Sequence, residues 1–289
     1  VAVGYHALVA NTTASHNTAV GHEALDANTT GANNTACGNE ALTDNTTGSQ
    51  NTGCGEGAFR HTTTGGANTG LGYYAGQVNT TGAWNIAVGY YALKGNTTAS
   101  HNVAVGSYAL QTNTTGTSNV AVGNYALQQN TTADNNTAVG KSALNQNTTG
   151  SYNTAVGENA STAITTGAHN TSMGARALDA TTTADNNTAI GSAAMSVNTT
   201  GQNNTVVGHQ ALYACTSGSS NTAIGKDAGT ALTTGGENTF VGIYCGDAVT
   251  TGNENCALGK GALTTVTTGL KNVAMGSSAG QVILDGEAN

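Results

Sequence analysis

The chain has 289 residues, of which 8% are charged and none is proline, and its formal net charge is −8 from seven Lys+Arg against 15 Asp+Glu. So few cations exclude a basic patch able to neutralise a nucleic-acid backbone, and nucleic acid is not an expected partner. No apolar run approaches the roughly 18 residues that a membrane-spanning helix needs.

Asn, Thr, Gly and Ala dominate, yet the apolar residues recur in strict register, which a disordered low-complexity chain does not require. The unit is Asn136-Thr137-Ala138-Val139-Gly140, and its final glycine returns with a period of 17 from Gly4 to Gly276 without one insertion or deletion. A fixed period of this size predicts a solenoid. It is expected to be an all-β, parallel β-solenoid (a β-roll or β-helix) of 17 coils, each coil one repeat of period 17, running through 1–289 as a single uninterrupted domain. At about 4.8 Å per coil such a stack reaches about 80 Å. The chain opens in mid-repeat and 289 is 17 times 17, so it is read as a segment of a longer fibre.

The leading asparagine is present in every unit: Asn17, Asn34, Asn51, Asn68, Asn85, Asn102, Asn119, Asn136, Asn153, Asn170, Asn187, Asn204, Asn221, Asn238, Asn255, Asn272 and Asn289. Identical asparagines one coil apart predict an amide ladder that forms a corner of the coil. Thr137, Ala138 and Val139 follow as a short parallel strand, because β-branched residues alternate faces there. Gly140 allows a positive φ or a close backbone approach. A second short strand is expected around Ala143 and Leu144, and Asn147-Thr148-Thr149-Gly150 reads as the return turn.

Five units lack an apolar residue where Leu144 sits: Gly76, Ser161, Gly229, Gly246 and Gly280. Four of the five place one three positions later, at Ile164, Leu232, Val249 and Ile283. Both positions are therefore expected to fill one narrow interior. The Ala138 column is Ala in twelve units, including Ala87, Ala104, Ala121 and Ala155. If Thr137 and Val139 line the interior, Ala138 points outward, and a small apolar outward residue predicts packing against copies of the chain.

Asn-Thr-Ala-Val-Gly followed by x-x-Ala-Leu resembles the head repeat of trimeric autotransporter adhesins. The full form with Asn-Thr-Thr-Gly is similar to repeats of phage tail-fibre and bacterial "tail fiber domain" proteins. The resemblance implies an intertwined or side-by-side homotrimer, an extracellular location and a structural role. The adhesin repeat is the shorter of the two.

Chemistry is sparse. His6, His16, His22, His61, His101, His169 and His209 fall in variable columns, and only His6 and His22 are placed to approach each other. There is no phosphate loop, no periodic aspartate for calcium and no Ser/His/Asp set, so no cofactor, metal or catalytic residue is expected, and the chain is read as not an enzyme. Glycoside cleavage needs paired carboxylates, and Glu237, Asp247 and Glu254 are placed in adjacent coils but different columns. Cys37 and Cys54 share what is read as a core column, and Cys215, Cys245 and Cys256 occupy three others; none is assigned to a disulfide. The Asn-Thr-Thr triplets are formal glycosylation sequons, but the turn itself explains them.

One surface feature stands out. Tyr74, Tyr91, Tyr108 and Tyr125 occupy one column in four consecutive coils, flanked by Tyr73 and Tyr90. Such a stripe can stack on sugar rings of a cell-surface glycan, or serve as a tyrosine ladder along the surface, which is the simpler reading. The expected function is the structural shaft of an extracellular fibre or filament, from a phage tail or a bacterial surface, that spaces an adhesive tip. The alternative is an ice-binding or carbohydrate-binding solenoid. Threonine ladders suit ice, but the pairs such as Thr148-Thr149 sit in a turn, whereas a flat array prefers alternate residues on one strand face.

Overall fold

The structure, a computed structural model, describes residues 1–281. Asn289 of the asparagine column and Ile283 of the core-filling set lie outside the described residues. Each Thr-Ala-Val segment forms one short strand, 17 in all, and no helix occurs among the described residues. The chain divides into two compact units. The first, Val1–Thr149, holds nine strands from β1 (Ala2–Val3) to β9 (Thr137–Val139). The second begins at Gly150 and holds eight, from β10 (Thr154–Val156) to β17 (Val273–Met275).

Within each unit consecutive strands pair in parallel with a shift of one repeat. Thr18 lies opposite Thr35 and Ala19 opposite Ala36 in the first unit, and Thr188 lies opposite Thr205 in the second. Each unit is therefore an all-β parallel β-solenoid in which one repeat makes one coil. The motif glycine makes the stacking possible. At Gly106 φ is 133° and a Cβ would lie 2.6 Å from the Gly123 carbonyl oxygen of the next coil, so a side chain would push the coils apart.

The second strand expected around Ala143 and Leu144 does not form. Ser142 (φ 56°) and Leu144 (φ 50°) are left-handed, and so are the equivalent residues of every described coil. A strand would send neighbours to opposite faces, yet Ala143 and Leu144 are both fully buried. The tight turn is what aims them both inward. A left-handed non-glycine residue costs roughly 1–2 kcal/mol. Burial of the leucine and a ladder bond offset that cost, as where Leu110 N–H donates to the Ala126 carbonyl at 3.0 Å.

The alanine column faces inward, which corrects the expectation that it packs between chains. Ala87, Ala104, Ala121, Ala138 and Ala155 are 0% exposed within their own coils, whereas Thr137 is half-buried and Val139 is 37% exposed. The cause is the width of the coil. At Gly53, which stands in for this alanine in β4 (Thr52–Cys54), a Cβ would lie 3.2 Å from Leu42 Cγ and 3.1 Å from the Ala58 carbonyl oxygen. One methyl from the strand and one leucine from the turn fill the space, so the bulkier Thr and Val take the outer face.

The core-filling rule holds where the structure describes it: Ile164, Leu232 and Val249 are fully buried. Aromatics supply what the column pattern leaves out. Phe240 stands in the alanine column between Gly229 and Gly246, where a Cβ would lie 2.8 and 2.5 Å from its ring. Phe59, in the leucine column, fills the space beside Gly70 and Gly76 in the same way, at 2.7 and 2.3 Å. Ser161 and Ser172 meet inside one coil, hydroxyl to hydroxyl at 2.8 Å.

Candidate functional site

The corner asparagines form a ladder of hydrogen bonds. Asn119 N–H donates to Asn102 Oδ1 at 2.9 Å, and Asn102 Nδ2 donates to the Gly116 carbonyl at 2.9 Å. In the second unit Asn221 N–H reaches Asn204 Oδ1 at 2.9 Å and Asn204 Nδ2 reaches the Gly218 carbonyl at 3.0 Å. A second ladder, not anticipated from the sequence, runs through the Asn-Thr-Thr turn. Asn113 Nδ2 donates to Asn96 Oδ1 at 3.0 Å, and Asn130 Nδ2 to Asn113 Oδ1 at 2.7 Å. The near invariance of that column in the first unit was its signal. From Asn28 to Asn130 the sequon asparagines of the first unit are fully buried and their amides are engaged, so those triplets are turn chemistry. The adjoining threonine hydroxyls bond from coil to coil too, as Thr97 Oγ1 does to the Thr114 carbonyl at 3.0 Å.

The tyrosine stripe is assembled as expected, but its rings face one another. Centroids lie 5.9 Å apart for Tyr74–Tyr91, 5.9 Å for Tyr91–Tyr108 and 5.1 Å for Tyr108–Tyr125. Tyr73 and Tyr90 stack beside them at 5.3 Å, and Lys94 Nζ sits 4.3 Å from the Tyr91 ring centre. Sugar stacking needs a free ring face; the rings of the stripe meet those of neighbouring coils, while Tyr73, Tyr90 and Tyr125 remain 37, 42 and 37% exposed. Partial desolvation beside the neighbouring rings, reinforced by Tyr74 and Glu56, pushes the half-exposed Tyr73 phenol up to about 12. Its neutral form is thus favoured in the folded chain, so its stabilising contribution is complete below pH 10 and is lost as pH rises through about 12. Absorbance titration should show late-ionising phenols, the latest of which Tyr73→Phe removes while Tyr90 and Tyr108 still ionise late; a single transition near pH 10 would count against this packing.

Histidines also go to stacking. Trp84 and His101 are parallel at 6.5 Å and Tyr152 and His169 at 5.0 Å, while Tyr5 stacks on both His6 and His22, at 4.1 and 5.2 Å. His61 Nδ1 meets Asp44 at 2.7 Å. No group of His, Cys, Asp and Glu suited to a metal occurs among the described residues. Glu237 and Glu254 stand one period apart and share one column, which corrects their placement in different columns; they line a surface depression of about 430 Å³ with Ser217, Ser219 and Asn253. Asp247 belongs to another column, and burial raises its carboxyl above the usual range.

The outward strand face is the largest feature that the interior does not explain. Thr137 and Val139 project from it, and their columns continue through each unit. Cys37 and Cys54 lie here, directly opposite one another in β3 (Thr35–Cys37) and β4, so they are outward residues and not core ones. Cys256, exposed in the second unit, is on the same strand face, whereas Cys215 and Cys245 are buried, which pushes both thiols up to about 11. No protein-family model matches the chain, and no curated protein or solved structure shows significant similarity to it.

Proposed function

We propose that the chain is a structural element, the shaft of an extracellular fibre or filament that assembles as a homo-oligomer and holds an adhesive end away from its base. The observation that carries this reading is the use to which polar and aromatic groups are put. Asparagines, threonine hydroxyls and tyrosine rings are spent on coil-to-coil ladders, a pattern that builds stiffness. The resemblance to adhesin-head and tail-fibre repeats supports the location and favours three chains. Aligned preparations should give a meridional reflection at about 4.8 Å from strands lying across the long axis. A globular scattering profile without that reflection would sink the proposal.

Ice binding keeps one supporting observation. Thr137 and Val139 are alternate residues on one strand face, the arrangement that the turn threonines lack.

A further inference from the structure

We infer that the outward face of the strands is the surface through which copies of this chain associate. The inference rests on the fibre reading and adds to it the face and the occupant.

In the first unit the outer column presents Val20, Leu71 and Val139 at 39, 43 and 37% exposure, and in the second Met173, Ile224 and Leu258 at 44, 39 and 44%. Neither outward column contains a charged residue in any coil. In β6 (Ile86–Val88), β7 (Val103–Val105) and β8 (Val120–Val122) the threonine position is also aliphatic, so three consecutive coils are apolar on both outward columns. A partly exposed apolar column without charge has the composition of an interface core.

The occupant follows from spacing, area and variety. Strands recur about every 4.8 Å, and a second copy presents the same repeat, so its side chains can interdigitate along the outward face of a unit. Two partly exposed side chains per coil offer on the order of 100 Å², so the eight or nine coils of one unit approach the roughly 800 Å² per partner of a specific interface. An ice lattice would call for identical groups at fixed intervals. The Thr137 column meets that demand from β9 to β15 (Thr239–Val241), but the outer column beside it mixes Val, Leu, Ile, Met and Cys, the irregular and adaptable set that packs against another protein surface.

The accessible cysteines project from the outward strand faces, Cys37 and Cys54 in the first unit and Cys256 in the second, which gives a direct readout in each. The wild-type chain should show a mass that is a multiple of 28.4 kDa, and Cys37, Cys54 and Cys256 should react with a maleimide in dilute protein and be protected in the assembly. Val122→Glu with Val139→Glu and Ile224→Glu should weaken self-association roughly 100-fold or more, since charges are then set against an apolar partner. These are surface positions, so the dilute variant should keep the wild-type circular dichroism, with its melt lowered only by the roughly 1 kcal/mol that like charges facing each other in β8 and β9 cost. Gln129→Glu with Gln146→Glu, exposed on the turn, should leave association unchanged. If the assembly survives the three glutamates with its thiols no better protected than in the monomer, this face is not the interface, although the fibre reading stands. A wild type that stays monomeric overturns the inference outright, and thermal hysteresis by that monomer assigns the face to ice.

Discussion

Gly76→Leu should destabilise the first unit by about 3 kcal/mol, although leucine is the commonest residue of its column. The backbone is not the obstacle, because Gly76 (φ 64°) has nearly the conformation that Leu93 (φ 52°) and Leu110 (φ 49°) adopt without glycine. The obstacle is Phe59, whose ring already occupies the position: a Cβ at Gly76 would lie 2.3 Å from Cε1. Phe59→Leu alone should also cost stability, because it opens a cavity beside Gly70 and Gly76. The triple change Phe59→Leu, Gly70→Ala and Gly76→Leu restores the regular Ala/Leu filling of the neighbouring coils and should return to within about 1 kcal/mol of wild type. Urea unfolding of the four proteins measures the coupling. Additive losses across the series would show that the interior is not filled as described.

Much of this was readable from one sequence. A period of 17 without a gap fixes the stacking, the Thr-Ala-Val run fixes the strand, and the substitution of Ile164, Leu232 and Val249 for missing leucines identifies two columns that share one interior. What the pattern could not fix is the sign of the strand. Alternation says that Ala138 opposes Thr137 and Val139, but which side is inside depends on coil width, and that is set across the coil by the turn. The turn was illegible because its conformation is not written in its residue types. Leucine prefers neither a left-handed backbone nor a two-residue bend, and it adopts both here because the adjacent coils hold it there. The second asparagine ladder was hidden for a related reason: Asn-Thr-Thr-Gly is also ordinary turn chemistry. For the surface, misreading the sign misplaced the apolar face, which Val139 and not Ala138 presents.

Asn204→Ala should cost more than Asn102→Ala, about 3–5 against about 1–3 kcal/mol, although both remove the same corner asparagine. In the first unit Asn102 Oδ1 accepts Asn119 N–H, and its amide donates to the Gly116 carbonyl. That carbonyl keeps a second donor in the variant, since Asn113 Nδ2 also reaches it at 2.9 Å. The principal loss is therefore one buried backbone N–H. In the second unit Asn204 Oδ1 accepts both Asn221 N–H and Asn221 Nδ2, at 2.9 and 3.2 Å, and Asn204 Nδ2 donates both to Asn187 Oδ1 and to the Gly218 carbonyl, at 3.0 Å each. The turn residue that would replace its amide is Cys215, whose Sγ lies 3.7 Å from that carbonyl and is a weak donor. More buried groups lose their partners, and no second ladder takes them up. Hydrogen exchange at the Asn119 and Asn221 amides reads each loss where it occurs, and denaturation gives its size. Equal costs at the two sites would mean that the second ladder contributes nothing to the corner, and the account of the buried Asn-Thr-Thr asparagines would have to be abandoned.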